Sequence, residues 1–185
     1  MNKIPERVDL DAVLETAKSN AVYYLIIFLV LQGLRVSEIS SLKRKNFDFR
    51  NKVLVYESAT LTQKRVPLPE NIINTLQNYF SSRRDKYPNA FINSKGPLTP
   101  DHVSVIIHNV SFKANPSKRL SAKNIRERIA LDKIHNGITY SQVAHDLGLR
   151  PRIDWLIKMY NEYAPDNISF QKSLGLKTPY KKGAH

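Results

Sequence analysis

The chain has 185 residues, enough for one domain with a tail, and its 42% hydrophobic content is ordinary for a globular protein. Its 29 lysines and arginines against 16 aspartates and glutamates give a formal charge of +13, which favours nucleic acid as a partner over a protein merely kept soluble by charge. The absence of cysteine excludes disulfides and thiolate metal sites, the five histidines lack metal-binding spacing, and the longest apolar run, residues 21–31, is too short to cross a bilayer.

The first quarter of the chain predicts helices. Residues 9–20 open with capping-type aspartates, and residues 21–33, AVYYLIIFLVLQG, indicate a buried helix that ends at Gly33. Residues 36–45, VSEISSLKRK, predict another short helix.

A small antiparallel sheet is predicted next. Residues 46–58 and 62–69 are short, partly alternating and rich in β-branched residues, with a polar break at Arg50 and Asn51. Helical patterns then return, with a short edge strand or loop at residues 89–94; the predicted helices span residues 69–84, 98–114, 121–137, 139–149 and 152–164. The predicted fold class is mostly α with a small antiparallel β-sheet, an α+β fold.

The segment GLRVSEISSLKRKNFDF, residues 33–49, places Arg35 and Glu38 directly after the most apolar helix. It resembles the first arginine box of the tyrosine recombinases, the phage-integrase family, which reads G-x-R-x-x-E-x-x-x-L before a D-h-D-like strand start. In that family a hairpin lysine precedes R-x-V-P-L and a later helix carries H-x-x-R. Here TQKRVPLPENI supplies Lys64, and SAKNIRERIAL supplies Lys123 and Arg126.

The remaining boxes of this family follow in the same order, so the resemblance covers nearly the whole chain. DLGLR, residues 146–150, stands where the family has its Leu-Gly-His turn. RIDWLIKMY then delivers Tyr160 at the place of the nucleophile, with Tyr163 as a rival. Both tyrosines also fit a packing role.

The chain departs from the usual family pattern at two histidines. Lys123 replaces the first, and Leu149 replaces the second and is followed by Arg150. This set is similar to that of integrases from spindle-shaped archaeal viruses, which show Arg, Lys, Lys-x-x-Arg, Arg and Tyr. Lys64 lies nearer the end of its strand than the usual hairpin lysine, and Lys52 is the other lysine nearby.

The resemblance implies a catalytic core that breaks and rejoins double-stranded DNA through a 3′-phosphotyrosyl link. Tyr160 would attack phosphorus, while the planar guanidiniums of Arg35 and Arg126 bind the non-bridging oxygens. Lys64 is the expected general acid for the departing 5′-oxygen.

Further roles and the absence of cofactors follow from the same resemblance. Lys123 would act as an acid/base or phosphate cation, Arg150 as a third phosphate contact, and Glu38 as a residue that orients Arg35 or neighbouring donors. Lys64, Lys123 and Arg150 also fit plain contacts to the DNA backbone or solvated charges. We expect no metal and no cofactor, because side chains supply the positive charge.

The resemblance also implies an organisation and partners. We expect residues 1–163 to form the catalytic domain, and residues 164–185 to form a basic tail that is either exchanged with a neighbouring protomer or disordered. The expected partners are double-stranded DNA attachment sites, on which a free monomer would assemble into a tetramer to integrate or excise a viral or mobile-element genome. With no signal peptide or membrane span in the sequence, we expect an intracellular protein of a prokaryotic host, either a fragment of a longer integrase or a minimal enzyme.

Other functions remain open from the sequence alone. One is a recombinase-like DNA-binding protein without catalysis, which the missing histidines favour. Another is a topoisomerase-like or nicking enzyme with the same chemistry. A third is a helical basic regulator, in which Arg35, Arg126 and Tyr160 would lie far apart.

Overall fold

The computed structural model describes residues 4–58, 61–148, 157–158 and 160. The chain divides into two compact units, Met1–Ile129 and Ala130–His185. The helices are α1 (Arg7–Ala17), α2 (Ala21–Leu31), α3 (Val36–Ser41), α4 (Glu70–Ser82), α5 (Pro100–Ala114), α6 (Ala122–His135) and α7 (Tyr140–Asp146). The strands are β1 (Phe47–Asp48), β2 (Val53–Glu57), β3 (Gln63–Pro67), β4 (Ile92–Asn93) and β5 (Gly96–Pro97). The fold class is the one that the sequence predicts.

Helix α2 forms the centre of the first unit. Every residue from Tyr24 to Val30 is buried, and the helix contacts α1, α3, α4 and α5. Each buried aliphatic or aromatic side chain contributes roughly 1.5–3 kcal/mol from removal from water. The apolar run therefore holds the first unit together, as its sequence predicts. No helix in the described part of the chain has the length and apolar character that spanning a bilayer requires.

The three-stranded antiparallel sheet has the order β1-β2-β3. Between β1 and β2 the predicted break is confirmed, because Asp48 accepts the backbone N–H of Asn51 at 2.9 Å and closes a turn. In the hairpin formed by β2 and β3, Leu54 lies opposite Val66 and Tyr56 lies opposite Lys64. This register decides which side chains of the hairpin share a face.

Helix α3 is shorter than the predicted span of residues 36–45. It ends at Ser41, and Leu42 leaves the helix with an extended backbone. The cause is a competing set of backbone partners: Leu42 accepts the N–H of Ala90 at 2.7 Å, and Arg44 donates to Pro88 at 2.9 Å. The segment at residues 89–94, predicted as an edge strand or a loop, supplies Ala90 and also β4, which pairs with β5, while Pro88 directly precedes it.

The loop between α5 and α6 is held by one buried hydroxyl. Ser111, which is 0% exposed, donates through Oγ to the carbonyl of Lys118 at 3.1 Å and accepts the N–H of Leu120 at 2.6 Å. Ser121 then caps α6, as predicted, by accepting the N–H of Asn124 at 3.2 Å. These bonds fix the point at which α6 begins.

The second unit begins within α6 and contains α7. Thr139 caps α7 by accepting the N–H of Gln142 at 3.3 Å. Asp146, at the end of α7, accepts from Lys133 of α6 at 3.3 Å, so a charge pair links the two helices. The predicted helix at residues 152–164 is described only at residues 157, 158 and 160, which are helical.

Candidate active site

Arg35 is placed by a sharp turn at the end of α2. Gly33 has a positive φ of 93°, and the N–H of Leu34 reaches back to the carbonyl of Leu29 at 3.2 Å. The N–H of Gly33 bonds to the carbonyl of Val30 at 2.9 Å, which completes a Schellman motif. Because glycine adopts this left-handed conformation without steric cost, the buried helix can end there, and Arg35 follows directly after its C-terminal turn.

Glu38 fixes the backbone of Arg35. Its Oε2 accepts the backbone N–H of Arg35 at 2.8 Å, in the geometry of a residue that closes the first turn of α3. The side chain is only 8% exposed, so this carboxylate is withdrawn from water. The pair of charged residues after the apolar helix α2 therefore forms the N-terminal cap of α3, in which Glu38 binds the backbone of Arg35.

Arg126 meets the same turn from α6. Its Nε donates to the carbonyl oxygen of Gly33 at 3.0 Å. Burial lowers the pKa of Arg126, the positive charge of Arg35 lowers it further, and the negative charge of Glu38 opposes both effects. An arginine remains protonated despite such a shift. Two guanidinium charges therefore act near this turn, and the carboxylate of Glu38 partly offsets them. That both arginines bind one phosphate, as the family resemblance implies, stays a prediction.

The β2–β3 hairpin positions the predicted general acid Lys64. Lys64 lies directly opposite Tyr56, so both side chains project from one face of the sheet. Burial, followed by the charge of Glu38, raises the pKa of Tyr56, while the charge of Arg126 partly counters the rise. The partner of Lys64 across the hairpin therefore lies within electrostatic reach of Glu38 and Arg126.

Lys123 lies one helical turn before Arg126 on α6. Its side chain is 72% exposed, and its Nζ forms an ion pair with Glu127 at 3.7 Å. The side chain of Glu127 is only 11% exposed, so the pair joins an exposed ammonium to a largely buried carboxylate. Lys123 is thus accessible to a ligand from solution.

Tyr160 lies in the second unit and is only 3% exposed, with its hydroxyl buried. Its ring meets that of Tyr140 edge to face, with ring centroids 6.1 Å apart. Burial raises the pKa of Tyr140 to about 12, and the negative charge that Tyr160 can carry adds to the rise. The predicted residues Arg150, Leu149 and Tyr163 lie outside the described residues.

Sequence reasoning did not single out Tyr56 or the carbonyl of Gly33. The alternation of β2 indicates that Tyr56 shares a face with Leu54, which was a usable signal. The carbonyl of Gly33 carries no side chain and gives no sequence signal. Within residues 4–58, 61–148, 157–158 and 160, no group of three or more His, Asp or Glu residues is arranged to hold a metal ion.

Comparison with known proteins gives a family match and several relatives. The pattern of the Phage integrase family matches residues 6–163. The chain is 26% identical over 129 residues to the tyrosine recombinase XerA of Pyrococcus furiosus, a match that covers 67% of this chain and 44% of that protein. It is 25% identical over 130 residues to the XerA of Thermococcus onnurineus, covering 66% and 45%. The chain therefore spans less than half the length of these curated relatives.

Solved structures share the fold. A crystal structure of XerA recombinase matches with a TM-score of 0.73 at 18% identity, over 97% of this chain and 67% of that chain. A XerH site-specific recombinase bound to palindromic difH substrate matches with a TM-score of 0.69 at 18% identity, over 95% and 54%. A Tn1549 transposon integrase in complex with a circular intermediate DNA matches with a TM-score of 0.63 at 18% identity, over 86% and 62%.

Proposed function

We propose that this chain, which belongs to the phage integrase family of tyrosine recombinases, is the catalytic domain of a site-specific recombinase that cleaves and rejoins double-stranded DNA through a 3′-phosphotyrosyl intermediate. The observation that carries the proposal is the attachment of Arg126 to the carbonyl of Gly33, two residues before Arg35. This bond gives two residues 91 positions apart in sequence, 126 and 35, a common anchor point.

The arginines suit a phosphodiester undergoing substitution at phosphorus. Negative charge accumulates on the non-bridging oxygens in the transition state, and a guanidinium offers a planar fork of donors to such oxygens. Positive groups that are already in place when this charge develops lower the barrier without reorganisation. The capping by Glu38 and the bond to Gly33 provide that rigidity.

In the proposed reaction Tyr160 is the nucleophile. Its phenol oxygen forms a bond to phosphorus, the bond from phosphorus to the 5′-oxygen breaks, and the phenolic proton passes to water. Lys64 donates a proton to the departing 5′-oxygen, which leaves as a hydroxyl. In rejoining, a 5′-hydroxyl gives its proton to neutral Lys64 and attacks phosphorus. The bond from phosphorus to the oxygen of Tyr160 breaks and the phenolate takes a proton from water, so no nucleotide cofactor is consumed. Lys123 and Arg150 add positive charge around the phosphate.

The biological role belongs to the same proposal. The chain acts on attachment sites in the integration or excision of a viral or mobile-element genome inside a prokaryotic host, as a monomer in solution and a tetramer on DNA. Residues 1–163 form the catalytic domain, and the basic tail at residues 164–185 is available for exchange with a neighbouring protomer. Lys123 and Arg150, in place of the usual histidines, support a kinship with integrases of spindle-shaped archaeal viruses. The archaeal sources of the XerA relatives agree with that host range.

A second candidate function, binding recombination sites without cutting them, is favoured by the burial of Tyr160. A nucleophile that is 3% exposed and packed edge to face on Tyr140 must become accessible before it can reach phosphorus. The two candidates differ in whether a covalent protein–DNA link forms.

A selection for covalent adducts tests the proposal. The chain is incubated with a pool of randomised duplexes that carry a nick, so that the strand released by cleavage diffuses away and the protein stays attached. Adducts that survive detergent are sequenced, and the free 5′-hydroxyl is detected by direct phosphorylation with a kinase. Adducts joined through the 3′ end of the DNA support the proposal. DNA binding without any adduct contradicts it in favour of the second candidate, and relaxation of supercoiled plasmid without joining of separate sites indicates a topoisomerase-like enzyme.

A further inference from the structure

We propose that Tyr56 is a positioning residue whose ring holds the ammonium group of Lys64 on the face of the hairpin that is directed toward Arg126. The inference rests on the proposed function, because it concerns the proton that Lys64 delivers to the 5′-oxygen. Tyr56 does not itself touch the reacting atoms in this proposal.

The first support is the register of the hairpin. Tyr56 and Lys64 are directly opposite each other in an antiparallel pair, so their Cβ atoms are about 4.5–5.5 Å apart. The next pair on the same face is Leu54 and Val66, both of which are buried in the hydrophobic core. Tyr56 and Lys64 therefore stand at the rim of the core, one pair closer to the hairpin tip.

The second support is the packing and electrostatic environment of the Tyr56 ring. The ring packs against the hydrophobic core, although it is only half-buried. Its phenol group is affected by the charges of both Glu38 and Arg126. The phenol group therefore lies within electrostatic reach of Glu38 and Arg126, while the backbone of Tyr56 pairs with that of Lys64 across the hairpin.

The third support is the chemistry of the two side chains. A lysine ammonium is a point charge on a flexible four-carbon stem, and it cannot orient itself as a guanidinium does. An apolar ring beside that stem limits the positions of the ammonium, because the stem gains contact area along the ring while the charged end remains solvated. Since burial and Glu38 raise the pKa of Tyr56, its hydroxyl stays neutral near pH 7 and contributes no charge of its own.

Sulfur substitution separates this role from a general loss of structure. The probe is a nicked duplex of the sequence recovered by the covalent selection, made with either oxygen or sulfur at the 5′-bridging position of the scissile phosphate. A thiol has a pKa of about 8.5, far below that of an alcohol, so a sulfur leaving group departs without receiving a proton. A variant that lacks only proton donation is therefore slow on the oxygen duplex and fast on the sulfur duplex.

The variants are Tyr56→Ala, Tyr56→Phe and Lys64→Ala, with Val55→Ala as the matched control. Val55 is the neighbouring residue on β2, and its side chain projects from the other face of the sheet. The readout is the ratio of cleavage rates on the two duplexes for one protein preparation, so a reduced folded fraction cancels. Tyr56→Val, which removes the ring but introduces a residue with high β-strand propensity, replaces Tyr56→Ala if the alanine variant does not fold.

We expect Lys64→Ala to be slower by roughly 100-fold or more on the oxygen duplex, the scale of a lost general acid, and to recover most of its rate on the sulfur duplex. Tyr56→Ala should lose roughly 10-fold to 100-fold on oxygen and recover in the same way, since misplacement of a reacting group by about 1 Å has this effect. Tyr56→Phe keeps the ring and should remain within about twofold of the unchanged chain, as should Val55→Ala.

Three results overturn the inference. Equal losses of Tyr56→Ala on both duplexes, with Lys64→Ala rescued by sulfur, leave the proposed function intact and remove Tyr56 from proton delivery. A loss in Tyr56→Phe as large as that in Tyr56→Ala assigns the effect to the hydroxyl and refutes the role of the ring. If Lys64→Ala is unaffected, or is not rescued, Lys64 is not the acid, and the proposed mechanism fails together with the role of Tyr56.

Discussion

The Nε–H of Arg126 donates a hydrogen bond to the carbonyl oxygen of Gly33 at 3.0 Å, across a sequence separation of 93 residues. The bond ties α6 to the turn that ends α2, and Arg35 follows that turn directly. One guanidinium is thus anchored at the backbone segment that places the other. Its remaining N–H donors are on the terminal nitrogens of the fork.

Replacement of this anchored arginine by lysine should abolish most of the cleavage activity. Arg126→Lys keeps the positive charge but lacks both the Nε donor to Gly33 and the planar fork. We expect the single-turnover rate of adduct formation to fall by roughly 100-fold or more, the usual effect of removing one preorganised transition-state donor. Arg84→Lys, on an exposed loop arginine, is the control and should cleave normally. An unchanged rate in Arg126→Lys would show that this arginine does not bind the phosphate.

Substitution at Gly33 should reduce both stability and cleavage. Gly33→Ala places a Cβ at a φ of 93°, which costs about 1–2 kcal/mol in the free energy of unfolding and shifts the carbonyl that holds Arg126. Gly137→Ala is the matched control, because Gly137 has a φ of 85° and open space around its missing Cβ. The midpoint temperature of thermal unfolding should fall in both variants. Only Gly33→Ala should lose cleavage at a temperature where both are folded, and an equal loss in both variants would contradict this link.

The local features of the fold were predictable because their signals are local. Gly33 as a helix stop and the turn at Asp48 and Asn51 follow from residues adjacent in sequence. The early end of α3 was not predictable from its pattern, because the competing partner at Ala90 lies far along the chain. For the site, the residue types indicated Arg35 and Arg126. The anchor between Arg126 and a glycine carbonyl depends on tertiary packing, which sequence patterns do not encode.

The two hydrogen bonds of the Ser111 hydroxyl to the α5–α6 loop should contribute more to stability than those of an ordinary serine on the same helix. Ser111→Ala leaves the buried N–H of Leu120 and the carbonyl of Lys118 without this hydroxyl, which we expect to lower the free energy of unfolding by about 1–3 kcal/mol. Ser104→Ala, on the exposed side of α5, removes only a bond to its own helix at Pro100 and should change stability by less than about 0.5 kcal/mol. Denaturant unfolding measures the stability of both variants. Equal small losses would show that the hydrogen bonds of Ser111 do not stabilise the loop.

The lysine that replaces the usual family histidine should affect cleavage far more than stability. Because Lys123→Ala removes the ion-pair partner of Glu127, whose side chain is only 11% exposed, it should lower the free energy of unfolding by about 1 kcal/mol. We expect its cleavage rate to fall by roughly 100-fold, whereas Lys123→His should stay within about 10-fold of the unchanged chain, because imidazole also transfers protons. Lys113→Ala, at the exposed end of α5, controls for a general loss of positive charge. If Lys113→Ala loses as much cleavage rate as Lys123→Ala, Lys123 contributes only a general contact to the DNA backbone.

The most direct measurement for the central claim is covalent adduct formation by Tyr160→Phe and Tyr163→Phe on the nicked duplex, read on a denaturing gel and confirmed by mass spectrometry of the DNA-linked peptide. The phenol oxygen of Tyr160 is the proposed nucleophile, so Tyr160→Phe should bind DNA with unchanged affinity and form no adduct. Tyr163→Phe should form the adduct at a normal rate, with the linked peptide carrying Tyr160. An adduct in Tyr160→Phe, or its loss only in Tyr163→Phe, would contradict the account.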